Sequence, residues 1–294
     1  MAKRWNDTLG SCRFTRHVAS KNLEGHPASW IFYGVAALLA LYAVATGQNA
    51  TIDPLSVTSL HLVILHGETE IGQATGFVVE KNQNYYLVTN RHVALQCSED
   101  KDPNDVGGWI CADKIRILHN KANHLGEWFW VQEDLYDSNK AKRWIEHPTL
   151  GASADLIAIP LKQTKQVAFY PLNLELRKTP VLLAPGDPVN IVGFPFGSAA
   201  AGGLPIWKIG TVASDLDINF AGKAQFLVDT TARPGMSGSP VYARRSGAYQ
   251  SAAGMTSVGT ATKFLGVYSE ENQVVELGAV WKAEVVASLY DSLP

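Results

Sequence analysis

Late in the sequence one serine stands between glycines, in Arg233-Pro234-Gly235-Met236-Ser237-Gly238-Ser239-Pro240. A hydroxyl acts as a nucleophile when a base takes its proton, a carboxylate orients that base and preorganised donors meet the oxyanion that forms. Glycines at 235 and 238 permit a tight turn and a close approach that a bulkier residue blocks. The backbone N–H groups of Gly235 and Ser237 are candidate oxyanion donors, whereas Pro234 has no N–H and only shapes the loop. Alone, the segment reads equally as an ordinary Gly/Ser-rich turn. The candidate base is His92, in Leu87-Val-Thr-Asn-Arg-His-Val-Ala94, where an apolar β run ends. The candidate orienting carboxylate is Asp155, opening the apolar run Leu156-Ile-Ala-Ile-Pro160. A lone histidine at a strand end is more often structural, and an aspartate there also caps strands, so neither decides the matter alone.

The elements that must hold these residues are short strands separated by turn residues, the pattern of an all-β sandwich or barrel. Strands are expected at 59–65, 76–80, 85–89, 114–118, 128–132, 156–160, 188–192, 206–213, 225–229, 241–242 and 264–268. Asn82-Gln83-Asn84 reads as a hairpin turn. The stretch from Cys97 to Pro148 is polar and irregular, and its Lys140-Ala-Lys-Arg143 cluster reads as a solvated loop. A C-terminal helix follows Gly278, with Trp281, Val285, Ala287, Leu289 and Tyr290 giving one apolar side.

The beginning of the chain differs in character. The whole sequence of 294 residues has a net charge of -2, which gives no reason to expect nucleic acid as a partner. Residues 1–29 form a basic head, with Lys3, Arg4, Arg13, Arg16 and Lys21 against Asp7 and Glu24. The run 30–46, from Trp30 to Thr46, carries no charge. As a helix it spans roughly 25 Å, short for a hydrocarbon core of about 30 Å and long for a signal-peptide core. Three readings stay open. Ala43-Val-Ala45 supports a cleaved signal, and the long basic head with Trp30, Tyr33 and Tyr42 at interfacial positions supports an uncleaved anchor. A buried soluble helix is the third, against which stands the lack of a polar stripe. Both membrane readings export everything after residue 50 by the positive-inside rule, making the protein a single-pass cell-membrane protein or a secreted one, periplasmic or extracellular. Residues 47–56 read as a linker. Cys12 then stays in a reducing compartment, while Cys97 and Cys111 are a candidate disulfide outside it, with two buried free thiols as the alternative.

The three segments taken together resemble the chymotrypsin/trypsin-like serine protease superfamily. The likeness is to its bacterial exported members, the periplasmic heat-stress proteases, with no PDZ domain expected here, and the glutamyl endopeptidases. The strand ending in Thr89-x-x-His92, the Asp155-Leu-Ile-Ala strand and the Gly235-x-Ser237-Gly-x-Pro240 turn stand in the family's order. Val192-Gly-Phe-Pro-Phe-Gly197 followed by Gly210-Thr-Val-Ala-Ser214 resembles the opening of the family's second barrel, and Gly266-Val-Tyr-Ser269 its substrate-pairing strand. The resemblance implies a domain over 57–294 of two six-stranded β-barrels, about 57–172 and 173–294, with a C-terminal helix packed on the second. It implies a serine endopeptidase with His92 and Asp155 from the first barrel, Ser237 from the second, and neither metal nor cofactor. No Ile-Val-Gly-Gly-type start precedes the domain, so activation by a new α-amino group is not expected. Glu270-Glu271-Asn272 departs from the family's usual aromatic and glycine residues, which leaves subsite depth open.

The resemblance places substrate contacts at Thr231, Gly266, Val267, Tyr268 and Ser269. Thr231 is neutral and offers no carboxylate to a basic side chain. Tyr268 stands where glutamyl endopeptidases carry histidine, and Arg233 reads as a solvated loop residue. The expected partner is a protein or peptide substrate, with the membrane a second partner if the N-terminal helix is uncleaved. The competing function is a catalytically silent module that binds extended peptides. A metal hydrolase using His119, His124 and His147 is disfavoured, because their spacing forms no known ligand set.

Overall fold

The computed structural model describes residues 52–99, 109–231, 233–272 and 276–294. The basic head, the apolar run and the first part of the expected linker lie outside the described residues. Asp53 belongs to the folded unit rather than to a tether. Its carboxylate accepts from Leu55 N at 2.9 Å, capping a short helical turn at Pro54–Ser56, and pairs with Arg244.

The fold is all-β, with two β-units and a C-terminal helix. The first unit holds β1 (Ser59–His66), β2 (Thr69–Lys81), β3 (Asn84–Thr89), β6 (Lys114–Lys121), β7 (Trp128–Asp134), β8 (Ile145–Glu146), β9 (Ile157–Pro160) and β10 (Val167–Ala168). They pair in the order β10-β6-β1-β2-β3-β9-β8, with β7 also on β6. This sheet has eight strands rather than six. The two additions, β8 and β10, are two residues long and leave no alternation in the sequence to read. After β3 comes a single helical turn, α1 (Arg91–Ala94), and then a small hairpin of β4 (Cys97–Glu99) with β5 (Trp109–Cys111).

The second unit is a closed six-stranded barrel in the order β11-β12-β13-β16-β15-β14. Its strands are β11 (Pro188–Gly193), β12 (Ile206–Val212), β13 (Gln225–Asp229), β14 (Pro240–Gln250), β15 (Thr256–Asn272) and β16 (Leu277–Lys282). The connection from residue 169 to 187 starts on the first unit, where Phe169 stacks on Tyr85 and Leu172 N donates to Val78 O, and crosses to the second, where Leu182 N donates to Gln250 O.

Side-chain alternation explains why β3 and β9 read as unbroken apolar runs. Leu87, Ile157 and Ile159 fill the interior of the first unit. Tyr86, Val88, Leu156 and Ala158 point the other way, into a cluster with Tyr242, Phe264, Val267 and Trp281 of the second. Successive residues of a strand face opposite sides, so burial on both faces demands apolar residues throughout. The same shared cluster takes Val285, Val286 and Leu289 of α2 (Ala283–Asp291). The helix therefore caps both units rather than the second alone, and Lys81 Nζ of β2 donates to the terminal carbonyls of Tyr290 (3.1 Å) and Asp291 (2.6 Å). Trp281, expected on the helix, lies in β16 instead.

Candidate active site

Strand β3 delivers His92. Thr89 and Asn90 at its end are buried, and Val93 and Ala94 pin the following turn into the first core. The turn leaves the imidazole about half exposed, at 47%. His92 N donates to Asp155 Oδ1 at 2.8 Å, and His92 Nδ1 lies 2.7 Å from Asp155 Oδ2. Asp155 is placed by the start of β9, and Asn90 Nδ2 donates to its carbonyl at 2.8 Å. Burial raises the Asp155 pKa, but hydrogen bonds from the His92 ring, Ser269 and the His92 backbone outweigh it and hold the carboxyl below its ordinary value. An ionised carboxylate only accepts, so Nδ1 of His92 is the donor. In the neutral ring Nε2 is then the free acceptor, and among the described residues it has no protein partner.

Ser269 closes the polar cluster. Its Oγ donates to Asp155 Oδ2 at 2.5 Å, and its carbonyl accepts from Ser237 Oγ at 3.2 Å. The β15–β16 register slips here: Tyr268 faces Val280 and Glu270 faces Ala279, leaving Ser269 as the extra residue. Such bulges re-aim a side chain beside a site, and this one turns the Ser269 hydroxyl to the first unit. The sequence marked Ser269 only as a substrate contact; a bulge leaves no local signature when no glycine marks it.

Ser237 lies in the turn between β13 and β14, half-buried. Gly235 has φ +95°, and a Cβ there would stand 2.3 Å from Phe194 O, so both conformation and space require glycine. Among the described residues, neither the Gly235 N–H nor the Ser237 N–H donates to a protein acceptor. His92, Asp155, Ser237 and the Gly235–Ser237 turn, scattered over the chain, thus meet in one place. Ser237 Oγ points to Ser269 O rather than to His92.

Other expected contacts fall out differently. Gly266, Val267 and Tyr268 are buried; Gly266 and Val267 are paired with both β14 and β16, and Tyr268 with β16. Tyr268 N donates to Ser239 O and Tyr268 O accepts from Gly238 N, both at 2.9 Å. With their main chains committed to neighbouring strands and to the serine turn, these three residues cannot pair with an extended peptide, which corrects the sequence-based assignment. Only Ser269 of that segment faces the site. Thr231 is exposed, and its carbonyl and Oγ1 both accept from Lys208 Nζ, a cation the sequence had not connected with it. Cys97 and Cys111 are disulfide-bonded across β4–β5. His119 packs edge-on against Phe169 with its pKa lowered by burial to about 4. His124 pairs with Glu127, and His147 Nδ1 accepts from Leu150 N at 3.2 Å. These three histidines share no site, and the described residues hold no cluster of three metal-ligating side chains.

No curated protein sequence matches this chain. Among solved structures it is similar to the crystal structure of the serine endoprotease from Yersinia pestis, at 12% identity and a TM-score of 0.43, covering 83% of this chain and 67% of that one. The family model described as "Trypsin-like peptidase domain" matches residues 74–248, more than half of the sequence. The matched span contains the histidine, the aspartate and the serine turn, and the chain belongs to the trypsin-like peptidases, a family of serine-type endopeptidases.

Proposed function

We propose that this peptidase works through Ser237 as nucleophile, His92 as general base and Asp155 as the carboxylate that orients it. The observation that carries the reading is the double hold on His92, by Asp155 Oδ1 on its backbone and Oδ2 on its ring, which leaves Nε2 as the free acceptor. Catalysis turns Ser237 Oγ from the Ser269 carbonyl towards Nε2. The hydroxyl proton passes to His92 as oxygen bonds to the peptide carbonyl carbon, and the oxyanion meets the Gly235 and Ser237 N–H groups. His92 returns the proton to the leaving amine as the C–N bond breaks. Water then repeats the sequence on the acyl-enzyme and releases the acid.

The substrate is an extended protein segment laid along the edge that begins at Ser269. We place the domain outside the cytoplasm. The basic head before the uncharged run 30–46 supports export, by anchor or by cleaved signal, and a disulfide between Cys97 and Cys111 suits an oxidising compartment.

The Ser237–Ser269 hydrogen bond favours a second reading, a silent peptide-binding module with its serine turned away. A serine-directed fluorophosphonate probe separates the two. The full-length chain should be labelled, and both Ser237→Ala and His92→Ala should abolish labelling. A folded wild-type chain that takes no label would leave the binding module as the function.

A further inference from the structure

The oxyanion donors lie on a turn whose successive peptides are each held by a hydrogen bond to the carbonyl. A peptide unit is planar and trans, so a bond to its carbonyl also fixes where its N–H looks. Pro234 O accepts from Phe196 N at 2.6 Å, which sets the Gly235 N–H. Met236 O accepts from Ser239 N at 3.0 Å, which sets the Ser237 N–H. The other two carbonyls of the turn are held by one residue of the other β-unit. Gly235 O accepts from Thr75 Oγ1 at 2.8 Å, and Ser237 O accepts from Thr75 N at 2.8 Å.

Thr75 lies on β2, has no solvent exposure and uses every polar atom it has. Its Oγ1 also accepts from Phe194 N at 3.0 Å, so the hydroxyl bridges β11's end to the serine turn. Its carbonyl accepts from Thr89 Oγ1 at 2.8 Å, on the strand that delivers His92. The Thr75 hydroxyl restrains the Gly235–Met236 peptide, hence ψ of Gly235 and φ of Met236. These are two of the four torsions separating the Gly235 and Ser237 N–H groups.

We propose that Thr75 is a positioning residue for the oxyanion site, its buried hydroxyl holding the Gly235–Met236 peptide so that the two N–H groups converge. The proposal rests on the catalytic reading above. It assigns the threonine of Ala74-Thr75-Gly76 a part in chemistry performed across the barrel interface, although it touches neither substrate nor the reacting atoms.

The test is the reaction of the full-length chain with a fluorophosphonate probe, resolved into a maximal labelling rate and a half-saturating concentration. Thr75→Val keeps the side-chain shape and removes the hydroxyl. It should slow the maximal rate by about 10- to 100-fold, with the half-saturating concentration and the pH of half-maximal rate unchanged. Thr75→Ser, which restores the hydroxyl, should recover the rate to within about threefold. The proposal is overturned if folded T75V labels within about twofold of wild type, or if T75S is as slow as T75V, since packing alone then explains the effect. If T75V does not fold, Thr75→Ala against Thr75→Ser makes the same comparison. A wild-type chain that takes no label sinks the catalytic reading itself, a different outcome from equal labelling of wild type and variant.

Discussion

The Asp155 carboxylate receives three donors: the His92 backbone, the His92 ring and the Ser269 hydroxyl. Each stabilises the charged form, and together they overcome the burial that opposes it. Removing one should loosen the ring without dismantling the site, so Ser269→Ala is expected to lower kcat/KM by about tenfold while leaving the fold intact, as steady-state kinetics and circular dichroism will show. The same donors predict a pH dependence of stability. Because the folded pKa lies below the unfolded value of 3.8, Asp155 contributes stability that is fully present above that value. That contribution is lost as pH falls through the lower folded value. Thermal melts of wild type and Asp155→Asn should therefore differ near neutrality and converge in strong acid. A constant difference down to the lowest pH would contradict this account.

At the level of elements, strands that face a core on both sides were readable as apolar runs, and the Asn82-Gln83 turn as a hairpin. Asn82 and Gln83 adopt φ of +52° and +64°, the left-handed pair that a two-residue hairpin demands. What the sequence could not show was the bulge at Ser269 or the hairpin of β4 and β5, inside a polar stretch read as irregular. That hairpin follows directly on the turn bearing His92, and the Cys97–Cys111 bridge ties its two strands across a sequence separation of 14. By loop-closure entropy a bridge of this span is worth about 3 kcal/mol. The double substitution Cys97→Ser, Cys111→Ser should lower Tm by several degrees, measured by calorimetry, and oxidised and reduced wild type should differ to the same extent.

For the molecule as a whole, the site exists only because the two β-units share an apolar layer. Phe77, Val88 and Leu156 of the first meet Phe264, Val267 and Trp281 of the second, and α2 covers the layer's edge. Polar groups cross the interface as well, among them Ser59 Oγ donating to Val192 O and Trp207 Nε1 donating to Ser56 Oγ. Gly238 has φ +87°, and a Cβ there would stand 1.9 Å from Thr75 O and 2.5 Å from Thr89 Oγ1. Gly238→Ala should therefore force the serine turn away from β2. We expect a loss of about 2–4 kcal/mol from strain and displacement, with probe labelling lost even below the melting temperature. Near-wild-type labelling in a stable G238A chain would mean that the interface yields more than its close contacts suggest.

The sequence by itself determined the all-β class, the strands around His92 and Asp155, and the Ser237 turn, because alternation, glycines and family motifs are local and leave residue-level traces. The family resemblance also implied Thr231 and Gly266–Ser269 as substrate contacts near the serine. Only the tertiary structure decided which groups of that strand are free. Gly266, Val267 and Tyr268 are used up by strand pairing, Ser269 is turned by a bulge to Asp155, and Thr75 reaches across to Gly235 and Ser237. The physical reason is the same in each case. A hydrogen-bond donor or acceptor is spent on whatever partner folding brings to it, and these partners lie 114 residues away for Ser269 and 160 for Thr75.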